Sequence, residues 1–514
     1  MQRKISEYLL KWKDDPMKRG LIISGARRVG KTYAVEQFGK SNYGNYLRLD
    51  FSDKHALDWR IFSEDISADS IIGRLAERYP HFKVERGESL LFLDEIQLCE
   101  DARAAIKPLV SDGRVDVIAS GSLLGLFGLR SLSTSDKWMT GSMEAFQNSI
   151  LEGDLMEVLS MNPEDYENRI RQSFLKGRDR VLPMGYEHVH IMRQMDFEEF
   201  LWAMGLSRNT TGDIRRHVRD KIPFHETTLE TLNEYFWRYM VIGGMPEVVE
   251  TIVSDAGSFG KMRERQMDLK DMYIQDINRY TPIAIRVDTV NVYNSIPSQL
   301  NRTRTKFKFV DVDRKEGKGI REYLDSLVWL NNAGMVTICD NLTEPVMPLE
   351  ERVGKAFKLY RNDTGLLCTD SDRGTILAIL EGDQKVNKGG MTENAVANMI
   401  LSCGLKPYYF ERNRRDGESV DRIEVDFIVN MGGKLAAIEV KSGRNKASGP
   451  LRKLMSDDRY SMYHVDRFIK LGLSNILVDE HGIEHYPIFA AAFMDSMYEQ
   501  DEYAFETLPT ELDL

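Results

Sequence analysis

Cysteine, long apolar runs and any excess of positive charge are all scarce in this 514-residue sequence. The four cysteines are scattered without a CxxC pair, which argues against a disulfide framework or a zinc site and favours reduced thiols in a cytosolic protein. No apolar run approaches the roughly 20 residues that cross a bilayer. The charged start, MQRKISEYLLKWKDD, lacks the apolar stretch and cleavage site of a signal peptide. We therefore expect a cytoplasmic protein with no membrane partner.

The charge balance and the length narrow the class further. A formal net charge of −11 disfavours indiscriminate nucleic-acid binding, although a local basic groove is still compatible with it. With 42% hydrophobic and 29% charged residues, each domain has enough apolar side chains for a core. The length predicts two to four domains.

An apolar run at Gly20–Ser24 leads directly into a glycine-rich loop. The run has the form of a buried parallel strand. The next segment, GARRVGKT over Gly25–Thr32, matches GxxxxGK[ST] in full, and YAVEQFGK after it is typical of a helix. In such a loop, backbone N–H groups and the helix N-terminus hold phosphate oxygens, Lys31 reaches the β- and γ-phosphates, and Thr32 binds Mg²⁺. The sequence therefore predicts a site for ATP and Mg²⁺; an ordinary glycine-bearing turn is the alternative.

Two further apolar strands follow, and each ends in polar residues. The strand Ser89–Leu93 ends in Asp94 and Glu95. We predict that Asp94 holds Mg²⁺ through water and that Glu95 orients and activates the attacking water. The strand Val115–Ala119 ends in a Ser-Gly-Ser tip, whose last residue, Ser122, is predicted to lie near the γ-phosphate. A charged strand end and a plain turn are the respective alternatives.

The segments GARRVGKT, LLFLDEIQ and VIASGSLLG, in this order, resemble a prokaryotic AAA+ ATPase family whose members carry a C-terminal domain of unknown function. The resemblance implies ATP hydrolysis, with Lys31 and Glu95 as catalytic residues, and possible assembly of several copies. The nucleotide-binding residues that it implies are Gly25, Arg28, Val29, Gly30, Lys31, Thr32, Tyr33, Asp94 and Ser122. Arg28 stands where the family usually has Gln, on the loop exterior, and we expect this change to spare phosphate binding.

The chain departs from the family after the third strand. The family's next two motifs appear as PMGY at 183–186 and FEEFL at 197–201, some fifty residues later than usual. We therefore predict an insertion at 131–180, polar and helical, within an AAA+ domain spanning 1–204. The arginine that would reach a neighbouring copy's nucleotide is not assigned among the candidates Arg130, Arg178 and Arg180.

Residues 205–345 are predicted to form a helical and winged-helix-like region. Helical periodicity covers 205–280, where YxxxGGxPE at Tyr239–Glu247 and LxxxYxxDI at Leu269–Ile277 match patterns of the similar family. We interpret both patterns as structural, since an aromatic stripe at helical spacing is typical of a core.

The second half of this region has the order of a winged helix-turn-helix. A helix at Val290–Ser295 and the helix Ile320–Asn332 flank the segment IPSQLN, which is interpreted as the start of a recognition helix. The residues placed near that start are Ser298, Gln299 and Asn301. The alternating cations after it are Arg302, Arg304, Lys306 and Lys308, which would share one face and follow DNA or RNA phosphates. A solvated strand face is the alternative.

The last third of the chain contains a helix followed by an acidic β-hairpin. The helix Met391–Leu401 carries Glu393 in its first turn, and two short strands joined by a Gly-Gly turn follow. Asp426 lies on the first strand, and Glu439 and Lys441 lie on the second. Residues two apart on a strand share a face, so these last two side chains point the same way.

This arrangement resembles the PD-(D/E)XK restriction-endonuclease-like core, here assigned to residues 346–514. The resemblance implies that Asp426 and Glu439 bind Mg²⁺ or Mn²⁺ and that Glu393 supports the metal. Lys441 would be catalytic, because the phosphate gains negative charge during cleavage. The same core also serves as an inactive binding module, and Glu439 with Lys441 can equally form a plain ion pair.

The predicted fold class is thus α/β multidomain. It comprises an N-terminal P-loop AAA+ parallel sheet with helices, a helical and winged-helix-like middle, and a restriction-endonuclease-like α/β domain at the C-terminal end. The predicted function is an ATP-hydrolysing switch acting on, or regulated by, nucleic acid. The alternative is a signalling or interaction protein whose C-terminal domain grips a partner without cleaving it.

Overall fold

The structure, a computed structural model, describes residues 1–52, 57–63, 65–121, 186–254, 257–302, 306–313, 319–382, 388–416, 419–443 and 448–498. Several predictions fall on other parts of the chain. Those lying outside the described residues are Ser122, the insertion at 131–180, the arginines Arg130, Arg178 and Arg180, and Arg304 of the basic stripe.

Five parallel strands form the N-terminal sheet, in the order β2-β3-β4-β1-β5. They are β1 (Gly20–Ser24), β2 (Asn45–Asp50), β3 (Ser89–Asp94), β4 (Asp116–Gly121) and β5 (Glu187–Ile191). The helices that flank them are α1 (Ile5–Asp14), α2 (Lys31–Asn42), α3 (Ala68–Arg78) and α4 (Glu100–Asp112). Alternate residues of β1 pack on opposite sides: Ile22 meets α3 and α4, and Ile23 meets α1 and α2. The predicted P-loop-type sheet is confirmed, and the carboxyl ends of its strands meet at one edge.

The middle of the chain is helical, as predicted. Its helices are α5 (Phe197–Ala203), α6 (Arg208–Asp220), α7 (Glu226–Ile242), α8 (Pro246–Ser254), α9 (Phe259–Tyr280), α10 (Arg286–Leu300), α11 (Val310–Asp313) and α12 (Ile320–Asn332). Within the described part of the chain, no helix is both long enough and apolar enough to cross a bilayer.

The predicted start of a separate recognition helix at IPSQLN is wrong, because α10 continues through Pro297 to Leu300. Proline has no N–H to donate to the carbonyl four residues earlier, here that of Tyr293. The guanidinium of Arg361 donates to that carbonyl instead, at 3.1 Å, and so satisfies it. A contact from a distant strand therefore permits a proline inside the helix.

Gln299, placed near the start of that recognition helix by the sequence, is a structural residue. It is only 3% exposed. Its Oε1 accepts the backbone N–H of Lys308 at 2.7 Å, and its Nε2 donates to Ser295 Oγ at 3.1 Å. The amide is therefore occupied within the protein, whereas Lys306 and Lys308 are exposed on the extended segment, as the alternation predicts.

An eight-stranded mixed sheet forms the C-terminal part, in the order β12-β13-β11-β10-β9-β8-β6-β7. Its strands are β6 (Val336–Leu342), β7 (Val353–Arg361), β8 (Tyr408–Asp416), β9 (Ser419–Met431), β10 (Lys434–Val440), β11 (Arg467–Gly472), β12 (Leu477–Val478) and β13 (Glu484–Pro487). The associated helices are α13 (Thr364–Cys368), α14 (Arg373–Leu380), α15 (Gly389–Ser402) and α16 (Gly449–Ser456). The predicted hairpin is present as the antiparallel pair β9 and β10.

One apolar core joins the middle helices to the C-terminal sheet. The other face of that sheet is covered by α16 and the residues that follow it. Strand β6 lies before the boundary predicted at 345, yet it pairs with both β7 and β8. The sheet therefore begins earlier in the chain than the sequence indicated.

Candidate functional sites

The glycine-rich loop connects the carboxyl end of β1 to the start of α2, as the motif requires. Gly25 has φ of 158°, and a Cβ built on it would lie 2.1 Å from the carbonyl oxygen of Met192. Gly30 has φ of 94°, in the left-handed region that favours glycine. Both glycines are therefore needed for the path of the loop, and most of its residues from Arg27 to Thr32 line a large cavity at the N-terminus of α2.

Lys31 is buried beneath this loop. Its Nζ donates to the carbonyl oxygens of Gly25 at 3.0 Å and Ala26 at 2.8 Å. Burial lowers the pKa of Lys31 to about 8, partly offset by the negative charges of Glu95 and Asp94. A buried ammonium held by two carbonyl groups is ready to exchange them for phosphate oxygens.

Asp94 ends β3 and contacts polar groups from three other elements. Its Oδ1 accepts from Thr32 Oγ1 at 3.3 Å and from Ser120 Oγ, and its Oδ2 pairs with Arg48 at 2.7 Å. A hydroxyl beside a buried carboxylate supplies the oxygen ligands that Mg²⁺ prefers, so Thr32 and Asp94 fit the predicted metal role. Because Arg48 already pairs with Asp94, a bound Mg²⁺ would compete with that guanidinium.

Glu95 follows Asp94 in a left-handed conformation, with φ of 55°. This conformation turns the chain sharply after the strand, and Glu95 lines the same cavity as Lys31 and Thr32. Gln97 Nε2 donates to Glu95 Oε2 and holds the carboxylate in place. A positioned carboxylate at this point is suited to activating water.

The other predicted loop residues have different surroundings. Val29 is fully buried, and its carbonyl accepts from Arg3 at 2.8 Å. Arg28, at φ of 64°, lies 3.6 Å from Glu247 of α8, and Tyr33 is 58% exposed at the cavity rim. Arg28 therefore contacts the middle helices and also lines the cavity.

The cavity has a volume of about 1860 Å³ and extends from the loop to the middle helices. Arg27 spans it: its Nη1 pairs with Asp276 of α9 at 2.9 Å, and its guanidinium lies 4.3 Å from the Tyr280 ring centre. The Tyr273 hydroxyl donates to the Arg27 carbonyl at 3.1 Å. Helix α9 thus holds both the side chain and the backbone of the loop.

Sequence reasoning missed three residues of this site: Arg48, Arg27 and Asp276. Ser120 belongs to the polar tip of the third strand, which the sequence already indicated as part of the site. The strand β2 that carries Arg48 has no motif of its own. The Arg27–Asp276 pair joins residues 249 positions apart, so no local pattern signals it.

A second cluster of charged residues lies on the β9–β10 hairpin. Ile438 pairs with Phe427, which sets Glu439 beside Asp426 on the neighbouring strand. Asp426 Oδ2 accepts the Val440 N–H at 2.8 Å. Burial raises the pKa of Asp426 well above its ordinary value, and the negative charges of Glu439 and Glu393 raise it further.

Glu439 is 2% exposed, and its two carboxylate oxygens differ. Oε1 contacts Lys441 Nζ, so the two side chains do share a face, whereas Oε2 is buried without a hydrogen-bond partner. Lys470 of β11 pairs in register with Glu439 and brings a second lysine to this face. An unpaired carboxylate oxygen beside Asp426 fits a proton or a single cation.

Glu393, the third predicted metal ligand, has a different partner. The Nζ of Lys358, a fully buried residue of β7, lies 2.7 Å from Glu393 Oε1 and 3.5 Å from Glu424 Oε1. The Tyr360 hydroxyl donates to the same Glu393 oxygen. Burial alone would lower the pKa of Lys358. The negative charges of Glu393, Asp426 and Glu424 outweigh burial and raise this pKa above its ordinary value.

In the described residues, no group of three or more His, Cys, Asp or Glu side chains is arranged to hold a metal ion. Asp426 and Glu439 lie side by side on the hairpin, and Glu393 faces the same cluster through Lys358, so the three predicted ligands do not form such a group. The pair Asp426 and Glu439 fits a cation, whereas the Glu393 carboxylate already pairs with the Lys358 ammonium.

Comparison with known families matches three segments of the chain. Residues 17–147 match a family described as an AAA domain. Residues 233–375 and 388–483 match two domains of unknown function, DUF8612 and DUF4143. The sequence matches no curated protein.

Three solved structures illustrate the distant likenesses. The Walker-type ATPase PABY2304 of Pyrococcus abyssi is 12% identical, with 72% of this chain and 95% of that chain covered and a TM-score of 0.39. The Aeropyrum pernix ORC1 protein in complex with DNA is 11% identical, covering 74% and 91%, with a TM-score of 0.25. Protein VC1899 from Vibrio cholerae is 9% identical, covering 93% and 96%, with a TM-score of 0.19. These TM-scores are too low to carry function across. What the comparisons show of the N-terminal part is its similarity to an AAA domain over residues 17–147.

Proposed function

We propose that this protein binds and hydrolyses ATP with Mg²⁺ and passes its nucleotide state to the middle helices. The observation that supports this most directly is the pairing of loop residue Arg27 with Asp276 of α9 at 2.9 Å. A change at the loop that shifts Arg27 must either move α9 or break this pair. The cavity between the two parts is the natural place for a nucleotide to act on both.

The chain's own residues divide the work at the AAA domain. Amides of the loop and Lys31 would bind the phosphates, and Thr32 and Asp94 would hold Mg²⁺, which neutralises charge on the phosphates. Glu95 would orient the attacking water and accept its proton. Ser120, through its contact with Asp94, would keep that carboxylate in position.

A continuous set of contacts links α9 to the C-terminal sheet. Lys270 of α9 pairs with Asp370 at 2.5 Å, and Arg361 at the end of β7 pairs with the same carboxylate at 2.6 Å. Asp363, two residues further along the chain than Arg361, accepts the Gly244 N–H at 2.7 Å. Movement of α9 would therefore change the contacts of β7, the strand that carries Lys358.

Amide hydrogen exchange tests this coupling. A non-hydrolysable ATP analogue with Mg²⁺ should slow exchange in α9 by about tenfold, because the ligand closes the cavity that α9 lines. Asp276→Ala should remove most of that protection, since it releases Arg27. The matched control is Asp268→Ala on the same helix, where the carboxylate is 52% exposed. Equal protection of α9 in all three proteins would contradict the coupling.

We also propose that the C-terminal sheet binds DNA or RNA at the face formed by Asp426, Glu439 and Lys441. Lys441 and Lys470 supply two cations beside that pair, which suits a phosphodiester. The occupation of Glu393 by Lys358 favours binding without cleavage over a nuclease. A protein partner gripped by the same face is the alternative, consistent with the net charge of −11.

Incubation with labelled DNA and RNA, with Mg²⁺ or Mn²⁺ and with or without ATP, tests this second part. We expect binding at low salt that weakens about fivefold or more in Lys441→Ala, since a phosphate contact is lost. Lys434→Ala, an exposed lysine on the same hairpin, is the control. Cleavage products that disappear in Asp426→Ala would show a nuclease. Absence of binding and of any effect on ATP turnover would favour the protein partner.

A further inference from the structure

Lys358 is the most enclosed cation of the C-terminal cluster. Its residue is 0% exposed, and its Nζ has three neighbours: Glu393 at 2.7 Å, Glu424 at 3.5 Å and the ring centre of Tyr409 at 4.8 Å. The Nζ donates a hydrogen bond to Glu393, forms an ion pair with Glu424 and lies over an aromatic face. The surroundings are thus built for a cation.

The backbone fixes this lysine in place. Lys358 pairs with Cys339 of β6 on one side and bridges to Lys306 on the other. These pairings hold the main chain of Lys358 in the sheet, and the ion pair with Glu393 holds its ammonium in the cluster. Lys441 is less enclosed, because its side chain is 30% exposed just after the end of β10.

We propose that Lys358 is a built-in cation of the C-terminal cluster, standing where Glu393 would otherwise face a metal ion. Glu393 is then the counter-ion of Lys358 and holds no metal, which departs from the ligand role that its position in the sequence implied. A divalent ion close to Glu393 Oε1 would lie within a few ångströms of the ammonium and be repelled by it. The Tyr360 hydroxyl, which donates to that same oxygen, further occupies it.

The proposal divides the cluster into two parts with different chemistry. The inner part comprises Glu393, Glu424 and Lys358, and its cations come from the protein: Lys358 lies between the two carboxylates, and Arg422 lies 3.6 Å from Glu424. The outer part, Asp426 with the unpaired Oε2 of Glu439, is where a divalent ion could still bind. The inference concerns the C-terminal sheet alone and does not depend on ATP turnover at Lys31.

A Mn²⁺ titration of the full chain without nucleotide tests this assignment. Binding is measured as the loss of the free Mn²⁺ signal in electron paramagnetic resonance. Glu393→Gln should change Mn²⁺ affinity less than about twofold, whereas loss of a true carboxylate ligand would lower it about tenfold or more. Lys358→Met should create or strengthen a Mn²⁺ site by about tenfold, because Glu393 and Glu424 lose their internal cation. The double variant Lys358→Met with Glu393→Gln should lose that gain. Lys355→Met, at an exposed position of the same strand, is the control.

Two results would overturn the proposal: a tenfold loss of Mn²⁺ affinity in Glu393→Gln, or no gain in Lys358→Met. If the wild-type protein binds no Mn²⁺, the gain in Lys358→Met still decides the matter. Should Lys358→Met fold poorly, its Tm becomes the measurement. Mn²⁺ should then raise the Tm of Lys358→Met by more than that of the double variant, which keeps only the outer pair, and an equal response of both would refute the built-in cation.

Discussion

Replacing Lys31 with alanine should weaken ATP binding by about 100-fold or more and abolish measurable turnover. The reason is local: Lys31 Nζ is a buried cation beneath the loop, where it donates to the Gly25 and Ala26 carbonyls. Titration with labelled ATP and Mg²⁺, together with phosphate release, measures both effects. Lys40→Ala, at the exposed end of the same helix, should bind and hydrolyse ATP normally.

The same lysine should make ATP binding depend on pH. Burial holds the pKa of Lys31 at about 8 in the nucleotide-free protein, and phosphates next to it would raise that pKa. Binding is therefore accompanied by proton uptake, so affinity should be greatest below pH 8 and fall as pH rises above it. If Lys31→Ala binds ATP as tightly as the wild type, or shows the same pH dependence, the nucleotide site lies elsewhere.

Glu95→Gln should lower kcat for ATP by about 100-fold or more while leaving nucleotide affinity nearly unchanged. Glutamine keeps the size and the contact with Gln97 but cannot accept a proton from water. We expect kcat to fall without a loss of affinity because Glu95 lines the cavity after β3 and is not part of the glycine-rich loop. Tight ATP binding with slow release of phosphate is the expected signature.

Glu88→Gln provides the matched control for Glu95, since Glu88 is exposed just before the same strand. Its kcat should equal that of the wild type. An unchanged kcat in Glu95→Gln would remove Glu95 from the reaction. A parallel loss of affinity and kcat would instead indicate that Glu95 acts by supporting the fold of the turn, where its φ is 55°.

The parts of this protein that sequence predicted well are those in which a short segment determines its own conformation. The loop Gly25–Thr32, the acids after β3 and the β9–β10 hairpin each carry their signal within about ten residues. Helical periodicity in the middle was equally reliable, because the apolar face of each helix repeats locally. Because the loop lies between β1 and α2, and the acids follow the parallel strand β3, the sequence also predicted that these residues lie near one another.

The parts that sequence missed depend on contacts between distant segments. Pro297 indicated a helix break, yet Arg361, 64 residues on, satisfies the carbonyl that proline leaves open. Lys358 carries no motif, and its pairing with Glu393 is set by the order of β7 and α15 around the sheet. Arg27 and Asp276 are likewise joined only by the packing of α9 over the loop. Each of these depends on tertiary structure that no local window contains.

The position of β5 in the chain determines when the N-terminal sheet can be completed during synthesis. The AAA match ends at residue 147, yet β5 pairs along β1, and the Met192 N–H donates to the Ser24 carbonyl at 2.7 Å. During synthesis, an emerging chain of 147 residues would leave one side of β1 unpaired and Gly25 without its neighbour. The nucleotide pocket is completed only when α9 has left the ribosome, so nascent chains should become able to retain ATP late, after roughly half of translation.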